Sequence, residues 1–212
     1  MAGGLPESES LLRLAVFVTA LLALGLAETL WPRRDADSRR SRWPGNLGLG
    51  LLNALLIRAV VPGSLVGVAV WVEANQLGLL PWPDTSPSAA STLYKAAVIV
   101  LLGAPAAAVL IFEVLLSTTA LFSHANLRLP HWFDKALRLL IVTPDMHRIH
   151  HSIDPAETDR NFGFCLASWD RLFATYRERP TAGQRAMTVG VKELEHECQS
   201  LGAMLAQPVR IP

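Results

Sequence analysis

Histidine is missing from the first 123 of the 212 residues; all six copies, at 124, 131, 147, 150, 151 and 196, fall in the remainder. Imidazole chemistry is therefore confined to the second part of the chain. Cysteine is nearly absent too. Cys165 and Cys198 are the only two, far apart and outside any CxxC spacing, so they read as ordinary reduced residues and no disulfide framework is expected. Charge is scarce: 17% of residues are charged, against about a quarter in a soluble domain. The net charge is +1 and no basic stripe occurs, so a nucleic-acid partner is not expected. Neither HExxH nor its inverted form is present, which excludes a zincin.

Apolar residues take the place of the missing charge. They make up 51% of the chain, with a mean hydropathy of +0.31, and dominate residues 1–123. Three segments are long enough to reach across a bilayer, which takes roughly 20 helical residues: 11–31, 47–72 and 92–123. The N-terminal stretch MAGGLPESES is acidic and no small-residue cleavage site follows the first apolar run, so that run is read as a retained helix. Arg13 and Glu28 lie near its ends, within reach of headgroups. Arg58 falls inside the second segment, where a charge is costly unless it faces protein or water. The third is one kinked span or a hairpin turning at Gly103–Pro105, with Glu113 further on.

Between the first two segments lies WPRRDADSRRSRWPGN, a short arginine-rich loop of the kind that marks the cytosolic side. Trp31, Trp43, Trp71 and Trp82 fall near predicted span ends, as interfacial anchors do. Residues 73–91 form a proline- and serine-rich polar loop. The organisation expected is an all-α integral membrane bundle over residues 1–123, a cytosolic histidine-bearing helical region over 124–180, and a peripheral tail over 181–212, with one helix over 191–205.

TPDMHRIHH is the sharpest local signal. Thr143 suits an N-cap, Pro144 the first turn, and Asp145 the positive end of the dipole. His147, His150 and His151 then share one helical face, and neutral imidazoles gathered this way are ligands for iron, zinc or a similar ion. His124, in LFSHANLRLP, closes the third apolar segment at the same predicted membrane face and reads either as a fourth ligand or as a helix-end residue. His131 and His196 have no neighbour at ligand spacing and read as surface residues. Downstream, NFGFCLASWDRLFATYRERP places Asn161 and Gly163 in a turn and gives Trp169, Leu172 and Phe173 an apolar face. Asp170 reads either as an ion-pair partner of Arg171 or as the acceptor that orients a ligand imidazole.

HxxHH, NFG and WDRLFATY in that order, together with LGAPAAAVLIFEVLLSTTALFSHANLRLP, resemble the sterol desaturase/fatty acid hydroxylase superfamily over residues 96–180. The resemblance implies a helical membrane protein holding two non-haem irons on its cytosolic side. Such a protein uses dioxygen and a separate electron donor to hydroxylate or desaturate a lipid C–H bond. By position, His147, His150 and His151 correspond to the last histidine box and His124 to the histidine of the HANL-like segment, with Asp145, Asn161, Trp169 and Asp170 as supporting residues. The family pattern also carries an HxxxH box and an earlier HxxHH box, where this chain has PWPDTSPSAAS. Four histidines do not supply two metals, so at most one iron is expected. Three readings follow: a lipid-oxidising enzyme, a catalytically inactive membrane relative with a binding or scaffold role, and a truncated product. Glu113 is the nearest acidic candidate to complete the shell.

Overall fold

The computed structural model describes residues 5–34, 39–60, 101, 106–190 and 200–210. Among these, nine helices form: α1 Leu5–Leu30, α2 Arg39–Val60, α3 Ala106–Ser123, α4 His131–Leu137, α5 Pro144–His150, α6 Pro155–Thr158, α7 Ser168–Leu172, α8 Gly183–Ala186 and α9 Leu201–Arg210. Extended pairing is limited to isolated bridges, Pro32 with Leu127, Ile141 with Leu166, and Ser152 with Val189. The fold is all-α, as the sequence predicts.

Leucine and alanine give α1 high intrinsic helicity, and Pro32 ends it by disfavouring helix in the residue before it. Its segment Leu11–Leu30 is apolar and 20 residues long, enough to cross a bilayer. The predicted second segment is helical as far as Val60; residues 61–72, with Trp71, lie outside the described residues. So do the Gly103–Pro105 turn, the 73–91 loop with Trp82, and most of the predicted tail helix, of which α9 is the described part. α3 is most of the described portion of the third apolar segment.

The chain divides into two compact units, residues 1–17 with 52–115, and residues 18–51 with 116–212. In the first, Arg13 does not simply reach for headgroups: its guanidinium is ion-paired with Glu113. Pairing lowers the cost of holding either charge among apolar helices, and it commits Glu113 to a cation.

In the second unit, α1 and α2 approach closely at Gly25. A side chain there would begin 2.9 Å from the Trp43 ring, so Trp43 packs against a helix rather than serving as a free anchor. The turns after α3 are tied to the end of α1. Asn126 donates its backbone N–H to Glu28 Oε1 at 2.7 Å and its amide N–H to the Arg34 carbonyl at 2.9 Å, and its side-chain oxygen accepts from the Arg34 N–H at 3.1 Å. Glu28 thus caps this turn. The core beneath α5 is Val142, Met146 and Ala167, with Tyr176 against it.

A candidate metal centre

Helix α5 forms as its sequence dictates. The Thr143 hydroxyl accepts from the Met146 N–H, and Pro144 occupies the first turn, where it removes no needed donor. Met146 and Ile149 are fully buried, which fixes the helix's rotation and turns His147 toward the end of α3. His151 is the C-cap residue.

Three imidazoles meet there. His147 Nε2 lies 3.2 Å from His124 Nε2, His151 Nε2 lies 3.3 Å from His124 Nε2, and His151 Nε2 lies 3.1 Å from His147 Nε2. The three rings pack edge-on or tilted. His147 is 6% exposed, while His124 and His151 are open on one side. The Nδ1 of His124 lies 2.8 Å from the Ala120 carbonyl, four residues back. A carbonyl only accepts, so in the neutral ring Nδ1 carries the proton and Nε2 presents its lone pair. His124 therefore finishes the last turn of α3 and faces the cluster at once.

His150, predicted as part of the same group, stands beside it. Its ring centre is 5.4 Å from that of His151 and 5.6 Å from that of His147. Its Nδ1 lies 3.0 Å from the Thr158 carbonyl and 3.2 Å from that of Arg160, and its ring meets Phe162 edge-on. His131 is exposed at the start of α4, and His196 lies outside the described residues.

Three bare lone pairs at such distances repel, so protons or a cation must lie among them. Burial first, then the neighbouring His124, His151 and His150, push the His147 pKa down to about 3. Burial, then His124 and His150, push His151 down to about 4. The pocket thus disfavours imidazolium and holds these rings neutral near pH 7, the state a metal requires. An ion about 2.1 Å from each of three imidazole nitrogens places them roughly 3.0 to 3.4 Å apart, between octahedral and tetrahedral corners. The observed triangle fits. The Nδ1 of His147, buried, has no hydrogen-bond partner among the described residues, and no carboxylate joins the three rings there.

The predicted supporting residues hold the scaffold instead of touching an imidazole. Asp145 accepts from Arg33 through both carboxylate oxygens, at 3.0 and 2.9 Å, and from Arg148 at 2.6 Å. Arg148 also donates to the Ala125 carbonyl at 3.3 Å, beside His124, and to Gln184 at 3.0 Å. The side chain of Gln184 in turn donates to the Asp145 carbonyl at 2.6 Å. This network seats the HANL turn on α5. Asp145 with Arg148 is a readable i,i+3 pair; Arg33, Asn126 and Gln184 lie too far away in sequence to carry a local signal.

Asn161 is fully buried at φ +53°. It donates to the Met146 carbonyl at 2.9 Å and the Arg177 carbonyl at 3.0 Å, and accepts from the Arg177 N–H at 2.8 Å. Asp170, 1% exposed, accepts from the Gly163 N–H at 3.0 Å and the Thr175 hydroxyl at 2.7 Å. Neither reading offered for it holds: it orients no imidazole, and residues one apart on a helix do not face each other. Arg171 instead lies over the Tyr176 ring. Trp169 is exposed and stacked on Phe173.

Residues 83–175 match the fatty acid hydroxylase family. The chain is 31% identical over 121 residues to an ornithine lipid hydroxylase of Rhizobium tropici, covering 55% of this chain and 34% of that protein. It is 42% identical over 40 residues to an alkylglycerol monooxygenase of Danio rerio, covering 19% of this chain and 9% of that protein. The chain therefore spans about a third of the first relative and about a tenth of the second. No solved structure matches. His124, His147, His150 and His151 all lie inside the matched region, so the candidate centre falls within the part of the chain that is similar to the fatty acid hydroxylase family.

Proposed function

We propose that this is a membrane-bound lipid oxidoreductase whose metal centre is built on His124, His147 and His151, with His150 as a fourth imidazole at its edge. The observation that carries the reading is the triangle of Nε2 atoms, 3.1 to 3.3 Å on each side, inside the family-matched segment. Non-haem iron is the metal of choice, by likeness to this family. When bound it supplies dioxygen activation for attack on a lipid C–H bond, with electrons from a separate donor.

The chain's own residues have three tasks. His147 and His151 stay neutral and offer lone pairs. His124 is held in the complementary tautomer by Ala120. The Asp145–Arg148–Arg33 network keeps the two histidine-bearing segments in register. The relatives' names favour hydroxylation of a polar lipid over desaturation. One ion at most is expected, since no histidine precedes residue 124 and Glu113 is ion-paired elsewhere.

In this reading residues 1–123 are the membrane part, 124–180 the cytosolic histidine region and 181–212 a peripheral tail. The cytosolic placement rests on the arginine loop, whose Arg33 is bonded directly to Asp145. The incomplete histidine set also favours a second reading, an inactive relative that keeps the metal for binding or scaffolding.

Elemental analysis of detergent-purified protein after anaerobic iron loading tests the centre. One iron per chain is expected, and none in the His124→Ala/His147→Ala/His151→Ala variant. Two irons per chain, or equal retention by the triple variant, contradicts the assignment. Supplying ¹⁸O₂, a reductant and mixed membrane lipids to the loaded protein separates the readings. A labelled hydroxylated lipid marks the enzyme; bound iron without labelled product marks the inactive relative.

A further inference from the structure

Residues 161–167 are built inside out. The chain alternates between buried and exposed positions, but the small or polar residues Asn161, Gly163 and Ala167 point inward while Phe162, Phe164 and Leu166 point outward. In water a half-buried segment places its large apolar residues the other way.

The inversion is fixed by bonding. Asn161 is held by Met146 and Arg177 and Gly163 by Asp170. A side chain at Gly163 would begin 2.6 Å from Asp170 Oδ2 and 2.8 Å from the Leu166 carbonyl. Ala167 donates to the Leu140 carbonyl at 3.1 Å.

That last bond brings Leu140, 71% exposed, beside the segment. Helix α7 and its C-cap follow with Trp169, Leu172 and Phe173, the last two 69% and 68% exposed. Between 161 and 173 the only charged residues are Asp170, buried, and Arg171, exposed but with its guanidinium laid over the Tyr176 ring. So many large apolar side chains exposed in so short a stretch are unusual on a soluble monomer.

Its neighbours indicate what covers it. Cys165, in the middle of the inverted segment, is 2.9 Å from the Thr119 hydroxyl on apolar helix α3. In the same unit the membrane-length helix α1 exposes Leu22, Leu26 and Leu30, and its end at Trp31 accepts the Arg128 N–H at 2.9 Å. The inverted segment thus abuts the apolar helix α3 and shares its unit with a membrane-length helix whose outward leucines need hydrocarbon.

We propose that Leu140, Phe162, Phe164, Leu166, Leu172 and Phe173 are immersed in the bilayer, with Trp169 at the boundary, where an amphipathic ring is favoured. The histidine region is then embedded in the membrane by this face rather than carried above it in water. Because Phe162 touches His150, a lipid chain would reach the histidines from the membrane. That consequence rests on the proposed function; the immersion does not.

The test uses the full chain in phosphatidylcholine nanodiscs, with Cys165→Ala and Cys198→Ala as background. An environment-sensitive fluorophore is attached at Leu172→Cys, Leu140→Cys or, as control, Arg179→Cys on the polar side. Nitroxide-labelled phosphatidylcholine is expected to quench the first two several-fold more than the third. Equal quenching at all three overturns the proposal, as does a blue-shifted but unquenched probe at Leu172, which would mean protein cover. If the labelled variants do not elute as single species, quenching of native tryptophan by brominated lipid is compared with Trp169→Phe. Loss of part of that quenching supports immersion, and no change refutes it.

Discussion

His124 and His147 are 23 positions apart in sequence, and their Nε2 atoms are 3.2 Å apart. Arg148 is the hinge of that meeting: it donates to the Ala125 carbonyl while its own helix carries His147. One guanidinium therefore couples the end of α3 to α5, and Asp145 keeps that guanidinium in place.

The three clustered rings are not equivalent to the fourth. Replacing His124, His147 or His151 singly with alanine is expected to weaken iron binding on the order of a hundredfold or more, since each removes a nitrogen of the proposed centre. His150→Ala, with its Nδ1 engaged by backbone carbonyls, is expected to weaken it about tenfold, as loss of a supporting group does. Titration with a competing chelator reads both. A His150 variant as weak as the other three would move His150 into the central set.

Breaking the Arg33–Asp145 pair is expected to loosen the site without touching an imidazole. Arg33→Ala leaves Asp145 with Arg148 alone, in a partly buried setting, at a cost of about 1–3 kcal/mol. The measurement is denaturant unfolding in detergent alongside iron affinity, both of which should fall. Unchanged unfolding would show the pair to be solvent-like.

Asn161→Ala removes three hydrogen bonds from a buried residue with positive φ, and about 2–4 kcal/mol of stability is expected to go with them. Gly163→Ala is expected to cost about 1–3 kcal/mol through overpacking against the Leu166 carbonyl, a backbone atom that cannot rotate away. Thermal unfolding of the iron-free protein checks both.

These two residues show how much could be read beforehand. The helix over 144–150, its cap and its histidine spacing follow from local rules, because every interaction involved spans four residues or fewer. NFG and WDRLFATY were visible as a pattern, yet their physical role was not. Asn161 and Asp170 act by bonding Arg177, Met146 and Gly163, and no periodicity encodes such partners. The pairing of Asn126 with Arg34 spans 92 positions and was equally hidden, so the arginine loop read only as a topological marker. The split of His150 from its neighbours was illegible for a different reason. Helical spacing puts three rings on one face, but the helix ends at His150, and the departing chain offers that ring two carbonyls.

Acid is expected to destabilise the iron-free fold. In the folded chain His147 and His151 resist protonation down to about pH 3 and 4, against 6.5 for free imidazole. Below 6.5 the unfolded chain takes up protons that the folded one refuses, so the unfolding free energy falls as pH drops from there toward 4. Their contribution is fully present above pH 6.5. The melting temperature should therefore decline between about pH 7 and 5, with a shallower decline in His147→Gln. A flat profile for the unaltered protein would contradict the neutral, crowded cluster.

The clamp of Asn126 on Arg34, with Arg33 on Asp145, makes the first helix a structural strut of the histidine pocket. A chimera in which an unrelated anchor replaces residues 5–34 would still tether the rest to a membrane, but Asp145 would lose Arg33, and Asn126 would lose Glu28 and Arg34. Swapping that helix should thus alter metal retention as well as targeting, a dependence that no feature of its own apolar sequence advertises.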